Sequence, residues 1–293
     1  MIERIIEIAD QGAFLSLENH LLKIALKDSR VTTVPLSEIQ CLILGNPAVT
    51  ITGALLAELA CKGVMTVVAG SNRLPVSMHL PLEGNYIQNE RFRSQISAPL
   101  PLQKRLWQSV VKAKIRSQGM LLKQLYGNDY GLLEMSKNVL SGDTENLEGR
   151  AAVLYWKKLY AEPFLRERQN SDNNLLLNYG YAILRAMTAR ACCGAGLHPT
   201  LGINHHNRYN PYCLADDLME PYRWLVDRKT VQMNPDNMSM EELTGPVRRE
   251  LLSALLEKVE TADGNYRLSD LLQRSAVMVA ESFQRGEMLL HYS

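Results

Sequence analysis

The hydrophobic pattern of this 293-residue chain changes period near residue 80, and that change limits what it can fold into more than any other feature. Up to that point apolar residues gather in short runs separated by Gly, Asn and Pro, the pattern of strands and turns. Beyond it they recur at helical spacing almost to the end. Strands are predicted at 4–8, 13–17, 21–26, 31–36, 39–44, 65–69 and 76–80, with Glu18-Asn19-His20 as a hairpin turn and Gly70-Ser71-Asn72 parting the last two. One helix interrupts them at 54–61, between Thr52 as N-cap and Gly63 as its stop. Pro81-Leu82-Glu83-Gly84 ends the β-type region. Helices are predicted at 89–97, 102–126, 132–140, 147–159, 174–193, 216–226, 247–259 and 268–287. The expected fold is α+β: a small β-rich domain at 1–80, a linker at 81–88 and a larger all-α domain at 89–293.

Composition supports two cores, since hydrophobic residues make up 46% of a chain longer than one typical domain. Five cysteines, none in a C-x-x-C pair, argue against a disulfide framework. The opening MIERIIEIADQG carries acids where a signal sequence has a basic region. No apolar run approaches the ~20 residues of a membrane-spanning helix. A soluble, cytoplasmic protein is expected. A net charge of +1 announces no polyanionic partner, which leaves the local distribution of charge to do so.

Between Glu90 and Asp129 stand eight cations, Arg91, Arg93, Lys104, Arg105, Lys112, Lys114, Arg116 and Lys123, and no acid. A solvated helix face explains one such helix as readily as a ligand does. An acid-free span of this length in a chain of balanced charge also fits a one-signed surface facing a polyanion. Gln95, Gln103, Gln108 and Gln118 add neutral donors for phosphate oxygens.

A second charged feature, LHPTLGINHHNRYNPYCLADDLMEPYRWLVD, runs from Leu197 to Asp227. Its acids Asp216, Asp217 and Glu220 stand within a helical turn of one another and repel unless a cation sits among them, with Arg208 and Arg223 nearest in sequence. Each has a bland explanation. Asp216 and Asp217 suit a helix start, Glu220 can pair with Arg223, and a histidine is more often hydrogen-bonded than a ligand. Yet a turn at Asn210-Pro211 can bring His205 back over the acidic helix. His206, pointing to the other side of an extended segment, would not share its ligand. Glu148 opens another helix, where the dipole explains it, but Gly149, Ala151 and Ala152 beside it leave room for close approach. One imidazole with carboxylates suits Mg²⁺ or Mn²⁺ with open water positions, an ion able to polarise a phosphodiester. The chain has no H-E-x-x-H, G-x-S-x-G, G-x-x-x-x-G-K or G-x-G-x-x-G.

Three segments, in this order behind a β-rich start, resemble the CRISPR-associated spacer-acquisition integrases, the family of the first-numbered CRISPR-associated protein. They are Leu147-Glu148-Gly149-Arg150-Ala151-Ala152, then Gly196-Leu197-His198-Pro199 with Gly202-Ile203-Asn204-His205, then Leu214 to Arg223 with its Asp-Leu-Met-Glu-Pro-Tyr-Arg core. The resemblance covers essentially the whole chain. It implies an N-terminal β-domain, a helical domain with a divalent-metal site, and a DNA endonuclease and integrase activity. In that activity the 3′-hydroxyl of a captured fragment attacks a phosphodiester at the edge of a repeat. By resemblance Glu148, His205 and Glu220 are the metal ligands, Glu220 standing where many members carry the shorter aspartate, and Asp217 is a supporting acid. His206 has no counterpart in many members. The implied partners are duplex DNA, a second copy of the chain, and a smaller CRISPR-associated protein bridging two such homodimers into a heterohexamer. His206 and the compact length also resemble systems with a single RNA-guided effector nuclease. The cations from Arg91 to Lys123, with Arg208 and Arg223 nearer the metal, would then track the DNA backbone. Two other readings of the same residues stay open: a DNA-binding scaffold whose acids only cap and pair, and a metallohydrolase of a small phosphoester.

Overall fold

The computed structural model describes residues 4–9, 11–70, 74–160, 164–167 and 170–292; Ser71 and Asn72 of the expected turn lie outside the described residues. The first part of the chain forms β1 (Arg4–Ile8), β2 (Ala13–Glu18), β3 (Leu21–Leu26), β4 (Val31–Pro35), β5 (Ile39–Leu44), β6 (Thr50–Ile51), α1 (Gly53–Cys61), β7 (Met65–Ala69) and β8 (Pro75–His79). One sheet is ordered β4-β3-β2-β6. Its β2–β3 turn holds Asn19 and His20 at left-handed φ values of 51° and 60°, the backbone that a two-residue hairpin loop of matching twist requires. The other sheet is ordered β1-β5-β7-β8 and is parallel except for β8. Parallel neighbours need a crossover, and α1 supplies it between β5 and β7. Thr52 caps α1 by accepting the Leu55 amide at 3.4 Å, and Gly63, at φ +63°, lets the chain leave it.

All six residues of β5 are buried, and its two faces serve different cores. Leu42 and Leu44 join Leu15, Leu22, Leu55 and Leu59 in a small core shared by the two sheets and α1. Cys41 and Ile43 join the far larger core of the helical half. The two halves are therefore packed together. The buried Arg248 Nε meets Glu7 Oε1 at 2.6 Å, and the Tyr179 hydroxyl donates to the same oxygen at 3.1 Å. The stretch between β8 and the next helix has no helix or strand, yet it is pinned. Asn85 Nδ2 donates to the Gly194 carbonyl at 3.1 Å, and Gly84 lies so close to the Cys193 carbonyl that a Cβ would collide with it.

The helical half contains α2 (Gln88–Ile96), α3 (Leu100–Tyr126), α4 (Leu132–Lys137), α5 (Leu147–Leu159), α6 (Asn173–Gly194), α7 (Cys213–Met219), α8 (Trp224–Met233), α9 (Gly245–Ser253) and α10 (Leu268–Arg285). The mostly buried α6 is its hub, with α7, α8 and α10 packed on it, while α3 packs on α4, α5 and the α7–α8 junction. Two features depart from expectation. The helix expected at 216–226 is split, because Pro221 lacks an N–H and its ring crowds the preceding turn; the chain tightens there into a 3₁₀ turn over Glu220–Tyr222. The half expected to be all-α also holds a hairpin, β9 (Lys258–Thr261) with β10 (Gly264–Arg267), where a helix was expected to run to residue 259. Asp263-Gly264, with Gly264 at φ +130°, is the turn signal for that hairpin. Among the described residues no helix is long and apolar enough to cross a membrane.

Candidate active site

Each acid of the 216–220 cluster has its own partner. Asp216 takes a bidentate pair from Arg185 on α6, at 2.6 and 2.9 Å, and accepts Asn210 Nδ2 at 2.7 Å, so it ties the preceding loop to the helices. Asp217 is fully buried; its Oδ2 accepts the Ile203 and Asn204 amides at 2.6 and 3.0 Å, and its Oδ1 pairs with His205 Nδ1. Gly202 lets the loop close this tightly, since a Cβ there would collide with the His205 carbonyl and lie 3.0 Å from Asp217 Oδ2. Glu220, at the junction before Pro221, has Oε1 3.2 Å from Arg223 Nη2 and Oε2 2.7 Å from Lys114 Nζ on α3.

Glu148 reaches the same lysine from α5. Asn146, left-handed at φ 51°, caps that helix by accepting the Gly149 amide at 3.3 Å. Asp143 accepts the Leu147 and Glu148 amides at 2.8 and 3.0 Å. With these first-turn donors satisfied, the Glu148 carboxylate is not engaged in capping and stands 2.7 Å from Lys114 Nζ. Lys114 therefore bridges Glu148 and Glu220, its side chain 11% exposed.

That position removes Lys114 from the outward cations among which it was expected. At 3.6 residues per turn, Arg105, Lys112, Arg116 and Lys123 fall within about 40° of one another on α3, and Lys114 lies roughly opposite them. Arg105, Arg116 and Lys123 are exposed, as are Lys104 and Arg93, and Lys112 is half-buried. Arg91 turns inward and donates to the Ala195 carbonyl. The exposed Arg208 lies over the Tyr209 ring. Arg223 is held between Glu220 and the Tyr181 ring, 4.6 Å from the ring centre. The structure thus gathers four of the expected cations on one face of α3 and commits Arg91, Lys114 and Arg223 to internal partners.

The site's charges act on one another. The hydrogen bond to Asp217 holds the His205 imidazole above its ordinary pKa against the opposing effect of burial, and the charges of Glu220 and Glu148 add to it. His205 therefore lies within the field of both glutamates. Burial pushes the Asp217 carboxyl up. Burial opposes ionisation of Glu220 as well, but Arg223 and Lys114 together hold its carboxyl below the usual range. The Trp107 ring of α3 meets His205 edge-on at 5.5 Å between centroids. His206 is exposed, and together with His205, Gln103, Asn207 and Arg208 it lines an open cavity of about 380 Å³.

These residues suit a hard divalent ion. With Nδ1 committed to Asp217, Nε2 is the free nitrogen of His205, and a carboxylate behind an imidazole is the usual support of a metal-bound histidine. Glu220 Oε2 is buried and meets the Lys114 ammonium at 2.7 Å. Among the described residues no three His, Cys, Asp or Glu side chains converge on one point, because the ammonium stands between two of the carboxylates.

Sequence reasoning missed the scaffolding around this site. Asp143 and Trp107 carry no motif, and the Gly202-Ile203-Asn204-His205 segment gives Gly202 no role of its own. Asp227, beyond Glu220 in a cavity also lined by Lys114, Gln118, Tyr181 and Arg223, accepts the Tyr155 hydroxyl at 2.7 Å and the Tyr181 hydroxyl. Its tyrosine partners lie 72 and 46 residues away, so no local pattern announces the trio.

Comparison with known proteins bears on the chain as a whole. The family model for CRISPR associated protein Cas1 matches residues 6–242. A CRISPR-associated endonuclease Cas1 from Neisseria meningitidis serogroup C (strain 8013) is 33% identical over 287 residues, covering 95% of this chain and 90% of that protein. Among solved structures, a casposase bound to integration product aligns with a TM-score of 0.79 at 18% identity, covering 98% of this chain and 92% of the other. A Cas6-RT-Cas1–Cas2 complex aligns with a TM-score of 0.77 at 18% identity, covering 100% of this chain and 36% of the other. At such identities these two structures establish a shared fold.

Proposed function

This chain belongs to the CRISPR-associated Cas1 family, and on that premise we propose that it is a nuclease and integrase of CRISPR adaptation. The 3′-hydroxyl of a short foreign DNA fragment would attack a phosphodiester at the edge of a repeat, forming a new phosphodiester as the old P–O3′ bond breaks and the displaced strand leaves with a 3′-hydroxyl. The observation that carries this reading is the meeting of Glu148 and Glu220 around one cationic position, within the field of His205, on a helix whose opposite face is a row of cations. The names of its relatives agree with it, an endonuclease in one case and a casposase bound to integration product in another.

Each group has a part in that chemistry. Glu148, His205 and Glu220 would hold Mg²⁺ or Mn²⁺, which when bound supplies a Lewis acid to the phosphodiester oxygens. Asp217 is a positioning residue: it fixes the imidazole through Nδ1 and leaves Nε2 as the nitrogen presented to the site. Arg105, Lys112, Arg116 and Lys123 would track the duplex backbone, with Lys104, Arg93 and Arg208 as further phosphate contacts. A second copy of the chain and a small bridging protein of the Cas2 kind are the proposed partners; the latter is favoured by the Cas1–Cas2 assembly that shares this fold.

The test is an integration assay with supercoiled repeat-bearing plasmid, a short duplex with free 3′-ends, the bridging partner and Mn²⁺. Covalent insertion by wild type should be lost in Glu148→Ala, His205→Ala and Glu220→Ala while duplex binding persists. If all three variants keep strand transfer, the proposal fails. A DNA-binding scaffold is the second reading, favoured by the pairing of both glutamates with Lys114 and of Glu220 with Arg223. A scaffold would show no Mn²⁺ stabilisation of folding that depends on Glu148.

A further inference from the structure

Lys114 stands between the two carboxylates that would hold a divalent ion. Its Nζ lies 2.7 Å from Glu148 Oε1 and 2.7 Å from Glu220 Oε2. Glu220 is 5% exposed; its Oε2 faces the lysine ammonium, and Arg223 occupies the other oxygen. The lysine is also set roughly opposite the outward row of Arg105, Lys112, Arg116 and Lys123, which places it away from that cationic surface.

The charge count makes the arrangement exclusive. Glu148 and Glu220 face Lys114 and Arg223, and Asp217 faces His205, so each acid of the site already has a partner without a metal. Adding a doubly charged ion to the intact set would leave excess positive charge in a shielded space, beside an ammonium at contact distance. Withdrawing the ammonium both vacates the seat and lowers that excess. The side chain suits such a movement, because a lysine is a compact point charge on a flexible four-carbon stem, whereas a planar guanidinium is held by several hydrogen bonds at once.

We propose that Lys114 is a resident counter-cation that closes the site in the metal-free protein and is displaced when a divalent ion binds. The affinity for metal is then set by competition with the chain's own side chain. This rests on the metal-dependent reading of Glu148, His205 and Glu220 given above.

The probe is Mn²⁺ alone, titrated calorimetrically into wild type, Lys114→Met, Lys114→Gln and Glu148→Ala, each checked for folding by circular dichroism. The lysine variants should bind roughly tenfold tighter or better, the change that corresponds to losing about 1.4 kcal/mol of competition. That binding should disappear when Glu148→Ala is added. Equal or weaker binding by folded lysine variants overturns the inference, yet leaves the metal reading intact as long as wild-type binding is lost in Glu148→Ala. Absence of Glu148-dependent binding in wild type and lysine variants alike overturns the metal reading itself, and the inference with it. A second measurement needs no substitution. Amine acetylation of wild type, read peptide by peptide, should label Lys114 several-fold faster at saturating Mn²⁺ while the exposed Lys123 is unchanged. An unchanged Lys114 rate overturns displacement, and this measurement decides the matter if the variants do not fold.

Discussion

Replacing Asp227 by asparagine removes an ionisable group with little change of shape, and the structure sets the size and sign of the result. Asp227 is 2% exposed on α8, and its two oxygens accept hydrogen bonds from the Tyr155 and Tyr181 hydroxyls. Burial dominates and lifts its carboxyl from 3.8 to about 6, over the opposing influence of those hydroxyls and of the Arg223 and Arg166 charges. Between these two pH values the folded protein holds a proton that the unfolded chain has released. Stability is therefore fully present below the unfolded value and is lost as pH rises through the folded one. The whole loss is about 3 kcal/mol, at ~1.36 kcal/mol per pH unit, and roughly half of it falls between pH 5 and 8. Asn has a single acceptor oxygen and forfeits one tyrosine hydrogen bond, an offset of about 1 kcal/mol that does not vary with pH. Urea unfolding of wild type and Asp227→Asn across that range should show the variant gaining about 1–2 kcal/mol on wild type, most of it below pH 7. A difference that stays constant from pH 5 to 8 would mean that the carboxyl is ionised throughout, and the burial argument would be wrong.

Asp217→Asn leaves His205 without its carboxylate and should weaken Mn²⁺ binding or strand transfer by about 10- to 100-fold with duplex affinity unchanged; calorimetry showing wild-type Mn²⁺ affinity would refute the positioning role. Gly202→Ala forces a Cβ against the His205 carbonyl and should lower stability by about 1–3 kcal/mol in thermal melts, and an unchanged Tm would show that the loop has slack. Binding of duplex DNA at several salt concentrations should show Arg105→Ala, Lys112→Ala and Arg116→Ala each flattening the log–log salt slope by about 0.9. Arg91→Ala should leave that slope in place, because its guanidinium is turned onto the Ala195 carbonyl; equal effects from all four would remove the distinction between the outward face and the inward arginine.

Most of the fold was legible because its signals are local. The all-buried run Ile-Gln-Cys-Leu-Ile-Leu of β5 and the cap at Thr52 need no knowledge of what lies far away in sequence. The hairpin at 258–267 was equally local, but the apolar spacing of 247–259 outweighed its Asp263-Gly264 turn. The site was legible by residue type and opaque by partner. Asp216, Asp217 and Glu220 read as one repelling cluster, whereas packing assigns them to Arg185 on α6, His205 in the loop and Lys114 on α3. Lys114 was counted with its cationic neighbours because composition does not resolve the faces of a helix. Helical spacing does, and it sets position 114 roughly opposite 105, 112, 116 and 123.

The same assignment of partners predicts how the protein behaves when metal is withheld. A structural metal site typically unfolds on chelation, because its ligands have no other counter-charge and binding energy is folding energy. Here the chain supplies its own cations to each acid: Arg185 to Asp216, Lys114 and Arg223 to Glu220, Lys114 again to Glu148. Asp217 is held by two backbone amides and His205. Among the described residues none of these acids depends on an ion to neutralise it, so EDTA should leave the Tm of protein purified without added metal within about a degree, on a scale where 1 kcal/mol moves a domain of 150–250 residues by about 2–4 °C. Strand transfer should stop under the same conditions. A fall of several degrees on chelation would mean that a tightly held ion supports the fold, and the bridge from Glu148 through Lys114 to Glu220 would then not describe the metal-free protein.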